Sequence, residues 1–128
     1  MADPLARLLK SYSKDMATVH SRTFELMITQ AVEKLPVGFR KRLRNVAFVV
    51  EPESAEGDLL GLYEGGGGAF HLPDKITIYQ RPHEQSTRNL RQLQKLIDET
   101  VWHEVAHYFG LNEAEVMRAE RRRARSSF

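Results

Sequence analysis

The sequence contains no cysteine, which excludes disulfides, thiolate nucleophiles and every cysteine-based zinc site. No apolar run approaches the roughly 20 residues that span a bilayer, so no membrane association is expected. The opening stretch, MADPLARLLKSYSKD, has no apolar segment followed by a small-residue cleavage site, so no secretory signal is expected. Internal repeats and long linkers are lacking too. These absences fit a cytoplasmic protein. What is there, 41% hydrophobic and 28% charged residues in a chain of 128, suits a single globular domain with one modest core.

A strong charge of either sign is also lacking, although the pI is near 9.0. Residues 118–128 hold Arg118, Arg121, Arg122, Arg123 and Arg125 against one acid, Glu120. Setting them aside leaves 14 of the 19 basic residues and 16 of the 17 acidic ones, a body of net charge −2. Basicity therefore belongs to a C-terminal tail, 118–128, attached to a core of about residues 16–117. Such a tail could touch nucleic acid or anionic lipid. No aromatics interleave with its arginines as single-strand binders require, so a solvated helix end is the expectation and nucleic acid is not the expected partner.

Apolar residues at mixed three- and four-residue spacing, from Met16 through Phe24, Met27, Ile28 and Ala31 to Leu35, predict a helix over 15–35, broken by Pro36 and Gly38. The β-branched, apolar NVAFVVE, residues 45–51, predicts a buried strand ended by Pro52. Residues 52–58 read as an acidic turn and 59–63 as a short second strand, followed by the glycine run 65–68. That run lacks the Lys and Ser/Thr of a phosphate loop and reads as a flexible connection. KITIYQ, residues 75–80, alternates as a half-buried strand should, and Arg81-Pro82 stops it. A helix is predicted over 87–109, with Leu90, Leu93, Ile97, Val101, Val105 and Tyr108 on one face and Gly110 as a left-handed cap. A shorter helix from Glu113 follows. The order of elements argues for an α+β fold.

Inside the long helix lies HExxH, residues 103–107. Residues four apart sit about 40° apart around a helix axis, so the imidazoles of His103 and His107 can share one cation. Zinc accepts neutral imidazole nitrogen, and catalytic zinc sites use three protein ligands with one position left for water. Glu104 stands where it can reach that water without ligating, as general base in attack on a carbonyl carbon. The bland alternative is a chance motif on a solvated helix. Against it, the two histidines fall beside the apolar stripe, and Gly110 ends the helix where the chain must turn back to bring a third ligand.

The run HEVAHYFGLNE, 103–113, resembles HExxHxxGxxD, the signature of the Asp-zincins. VEKLPVGFRKRL, NVAFVVE, LLGLYEG, LPDKITIYQRP and TVWHEVAHYFG extend the likeness over about 100 residues to the minimal zincin-like metallopeptidases, small bacterial proteins. The resemblance implies a small twisted mixed sheet packed on the HExxH helix, with Zn2+ as cofactor and a peptide or unfolded protein as substrate. It also implies that the substrate pairs with an edge strand. Ile76, Thr77, Ile78 and Tyr79 are the candidates, because their strand precedes the active-site helix directly. The third-ligand position holds Glu113 where the pattern has Asp. Its extra methylene moves the carboxylate by more than about 1 Å unless the backbone compensates. Glu113 could instead be an acid at the positive end of the next helix, with Glu115 as a weaker substitute ligand.

Other candidates carry less. Tyr63, Tyr79 and Tyr108 could each stabilise an oxyanion or simply pack. His20, His71 and His83 have no partner at ligand spacing and read as surface or satisfied histidines. Asp98 and Glu99 could accept from a ligating imidazole or lie on a solvated face. Two function classes follow: a zinc peptidase, or a zincin-like fold that binds metal or a partner without hydrolysis.

Overall fold

The computed structural model describes residues 17–66 and 72–126. The expected start of the first helix at residues 15–16, the second half of the glycine run and His71 lie outside them.

Helix α1, Ser21–Glu33, buries Phe24, Met27, Ile28 and Ala31 along one stripe against the HExxH helix. His20 caps it, its Nδ1 accepting the Arg22 backbone N–H at 3.1 Å. Leu35 precedes Pro36, which disfavours helical backbone there, and the helix stops. It restarts as the short α2, Val37–Arg42, a turn that the breakers Pro36 and Gly38 had hidden. Asn45 then takes φ 55°, a left-handed conformation asparagine tolerates, and redirects the chain into the sheet.

The sheet has three strands, β1 (Val46–Glu51), β2 (Gly61–Glu64) and β3 (Asp74–Tyr79), in the order β1-β3-β2. β3 runs parallel to β1, with Val46 opposite Asp74, and antiparallel to β2, with Gly61 opposite Ile78. The expectation that Ile76–Tyr79 forms a substrate-binding edge is therefore wrong: both backbone edges of β3 are occupied by neighbouring strands. Ile76, Thr77, Ile78 and Tyr79 are all buried, as befits a strand covered on both faces. Conversely, β1, read as buried, is an edge strand of intermediate exposure.

Arg81-Pro82 ends the strand but also opens helix α3, Gln80–Gln85. Pro82 sits in its first turn, where a missing N–H costs nothing. α3 carries His83, fully buried between β3 and the long helix. Its Nδ1–H donates to the Tyr79 carbonyl at 2.7 Å, and its Nε2 lies 2.8 Å from the Thr100 hydroxyl oxygen, which itself donates to the Leu96 carbonyl at 2.9 Å. Burial lowers the His83 pKa, against the opposing influence of the Tyr79 carbonyl.

The long helix, α4, spans Leu90–Tyr108 and is capped by Asn89, whose side chain accepts from the Gln92 N–H at 2.9 Å. Leu93, Ile97, Val101 and Val105, four residues apart, are fully buried and form the spine of the core. Leu90, expected on that face, is the first residue of the helix and is 60% exposed. The last helix, α5, spans Glu113–Ser126 and buries Val116 and Ala119. Residues 118–126, expected as a basic tail, continue this helix. No helix among the described residues is long and apolar enough to cross a membrane.

Candidate metal centre

The site grows from how α4 ends. Gly110, at φ 87°, takes the left-handed position that glycine alone adopts freely. Its N–H bonds the His107 carbonyl at 2.9 Å and the Leu111 N–H bonds the Ala106 carbonyl at 3.1 Å, the paired bonds of a Schellman motif. Two residues on, Asn112 opens α5 with a capping box. Its side chain accepts from the Glu115 N–H at 2.9 Å, and the Glu115 carboxylate accepts from the Asn112 N–H at 3.1 Å. Glu115, weighed as a substitute ligand, is thus occupied by the cap. As α5 advances through Glu113, Glu120 and Arg123, their contacts step back along α4 from His107 to His103 to Trp102. The two helices form an antiparallel hairpin.

This hairpin brings His103, His107 and Glu113 together. The two Nε2 atoms are 3.3 Å apart. The Glu113 carboxylate reaches the Nε2 of His107 at 2.8 Å and that of His103 at 3.5 Å. Tetrahedral zinc with ligands at about 2.1 Å sets its ligand atoms about 3.4 Å apart, which the imidazole pair already matches, and one ligand atom from each of the three residues lies within 4.8 Å of the others. The outer nitrogens complete the fit. His107 Nδ1 faces the Leu111 carbonyl at 3.0 Å and His103 Nδ1 faces the Glu120 carboxylate at 2.9 Å. Both partners can only accept, so each Nδ1 carries a proton, and in the neutral form that ligation requires each ring would turn its Nε2 lone pair inward. Two lone pairs and a carboxylate then converge on one point, and a divalent cation is what such a donor set accommodates. Among the described residues this is the one cluster of histidine and acid with metal-binding spacing.

Burial lowers the tendency of His103 to hold a second proton. The Glu120 hydrogen bond and the charges of Glu104, Glu120 and Glu113 outweigh it, and its pKa is raised. Glu104 is 8% exposed, and its pKa is raised chiefly by burial, against the opposing influence of the two histidines. The Tyr63 backbone N–H donates to its carboxylate. Strand β2 can lie this close because residue 61 is glycine. A Cβ there would stand 2.8 Å from Thr100 Cγ2 and 3.1 Å from Glu104 Cγ. A cleft of about 920 Å³ opens between Leu60 and Gly61 on one wall, Thr100, His103 and Glu104 on its floor, and Glu120 of α5 opposite.

The remaining candidates fall elsewhere. The Tyr63 hydroxyl donates to Asp74 at 2.6 Å, and that bond, with burial, pushes its pKa up to about 12. Tyr108 donates to the Arg44 carbonyl at 2.7 Å, and Tyr79, the last residue of β3, is buried. None of the three lines the cleft. Asp98 accepts from Lys34 and Gln94, both at 2.8 Å, and does not reach an imidazole; both Asp98 and Glu99 line the cleft. Sequence reasoning missed Glu120 and Gly61. The signal for Glu120 was available: it is the one acid among five arginines, ten residues after the glycine turn. Gly61 had none, because its partner Thr100 is remote in sequence.

An HExxH helix, a glycine turn and a returning carboxylate in an α+β fold are the parts of a zincin-type site, and the group they form could hold a metal ion. The chain belongs to the zincin-like metallopeptidase family, whose profile matches residues 43–123, more than half of its length. No curated protein matches the chain in sequence.

Proposed function

We propose that the protein is a zinc-dependent peptidase acting on extended peptides or unfolded segments, with His103, His107 and Glu113 as metal ligands and Glu104 as general base. The observation that carries this reading is the convergence of a carboxylate and two imidazole nitrogens, each ring with its Nδ1 proton committed outward, beside a buried glutamate. Bound there, zinc would polarise a peptide carbonyl and acidify a water. A Glu104 carboxylate oxygen takes the proton from the water that attacks the carbonyl carbon and passes it to the departing amine nitrogen. Burial raises the Glu104 pKa toward the working range that such a two-way transfer needs. The substrate backbone lies along β2, which has a strand partner on one side only among the described residues and overlies Glu104. This strand, not β3, takes the role of the substrate-pairing edge.

Glu104→Gln tests the reading. The expected result is retained zinc with peptide hydrolysis reduced by roughly 10²–10⁴-fold. Hydrolysis by the variant at the wild-type rate would overturn it, and zinc-loaded wild type inert on varied peptides would favour a binding protein on the same fold.

A further inference from the structure

We propose that Glu120 is a positioning residue for the metal centre: it holds His103 in the tautomer and orientation that ligation requires. The inference rests on the reading of His103, His107 and Glu113 as metal ligands and adds a fourth residue, from the arginine-rich helix, that nothing in the HExxH motif specifies.

The register of α5 carries the argument. Glu113 and Glu120 are seven residues apart, two helical turns, and so lie on the same face. Between them Val116 is fully buried and Ala119 is 8% exposed, which docks that face onto α4. Docking sets one carboxylate at the inner nitrogens and the other behind the ring. Glu113 meets Nε2 of His107 at 2.8 Å, and Glu120 meets Nδ1 of His103 at 2.9 Å. The two histidines are oriented by different means. His107 is held by a backbone carbonyl, that of Leu111, which the Schellman turn places regardless of side chains. His103 lies a turn further from that end, beyond the reach of the loop, and depends on a side chain. Glu120 is surrounded in sequence by arginines, yet its carboxylate is directed to the imidazole. Arg123, one turn later, lies over the Trp102 ring at 4.4 Å and adds a further contact between the two helices. A carboxylate behind a ligating imidazole fixes the ring and raises its basicity, and losing one lowers metal affinity by roughly 10–100-fold.

The test is a Co2+ titration of the full-length protein followed by its visible absorption, with Glu120→Ala, Glu120→Gln and Arg121→Ala alongside wild type. Alanine favours helix, so α5 is not weakened by the first change, and thermal melts of the metal-free proteins check this. Glu120→Ala is expected to bind Co2+ roughly 10–100-fold more weakly. Glu120→Gln, whose amide oxygen can still accept the Nδ1 proton, is expected to recover most of that loss, and Arg121→Ala to match wild type. Glu120→Ala binding as tightly as wild type would overturn the proposal while leaving the metal site standing. Equal weakening by Glu120→Ala and Arg121→Ala would also overturn it, since helix docking rather than the bond to His103 would then be responsible. Wild type that takes no Co2+ would overturn the metal site and this role together.

Discussion

The α4–α5 hairpin and the three-stranded sheet contribute opposite halves of the cleft and are specified in opposite ways. In the hairpin, the turn and the convergence of ligands come from residues close in sequence: the i, i+4 histidines, the Schellman turn at Gly110 and the Asn112–Glu115 box. In the sheet, the features that matter are remote. β3 is central because β1 and β2 both pair with it, and β2 reaches Glu104 because Gly61 meets Thr100, 39 positions later in the chain. The proposed metal site is thus encoded locally, whereas the proposed substrate wall depends on long-range packing. Mutations in the two regions should therefore separate metal loading from turnover.

The largest effect is expected at the hairpin's centre. His103→Ala should lower zinc affinity by more than the roughly 10–100-fold that an outer-shell change costs, and should abolish hydrolysis. Zinc content of the purified variant checks this, and stoichiometric zinc would break the comparison. Gly61→Val should do the reverse. Its Cβ intrudes on Thr100, whose hydroxyl is tied to His83 and to the Leu96 carbonyl, so the side chain cannot yield and β2 must shift. We expect zinc to remain while kcat/KM falls, with an overpacking cost of about 1–3 kcal/mol read from denaturant unfolding.

Smaller effects sharpen the local half. Gly110→Ala places a Cβ at φ 87° in open space, so the cost is backbone strain alone, about 1–2 kcal/mol. Because Leu111 orients His107, zinc affinity should fall with it. Asn112→Ala removes the α5 cap for about 1 kcal/mol, visible as a lower unfolding midpoint.

The smallest test lies in the sheet, at the Tyr63–Asp74 bond. The Tyr63 hydroxyl, with the Gly66 N–H, holds the Asp74 pKa below its ordinary value of 3.8. Asp74 therefore contributes stability above that value, which is lost as pH falls through its lower folded pKa. Tyr63, raised from 10.0 to about 12, contributes stability that is complete below 10.0 and lost as pH rises through about 12. Tyr63→Phe should flatten both limbs in a pH series of thermal midpoints while leaving zinc content unchanged.

Much of the hairpin was legible in advance. HExxH, the cap at Gly110 and the third carboxylate at Glu113 all lie within eleven residues, and helical geometry translates such spacing directly into space. Glu115 and Glu113 were alternatives that only capping geometry separates. Strand roles were harder to read. VAFVVE and KITIYQ are both apolar and β-branched, and alternation reports which residues share a face, not how many neighbours a strand has. The more apolar segment became the edge and the more alternating one the centre, and it is β2 and β3 that α4 packs against. α3 was hidden by Pro82, which reads as a breaker and here sits harmlessly in a first helical turn.

By itself the sequence determined an α+β chain without thiol chemistry, a pair of imidazoles spaced to share a cation and a helix that must turn back after them. Those properties follow from residue identity and from spacings of a few residues, which local backbone geometry converts into position. Only the tertiary structure decided which strand borders Glu104, which glycine lets it approach, and which of many helical acids stands behind His103. Each of these depends on elements distant in the chain meeting at one place, and burial brings them together whatever their separation in sequence.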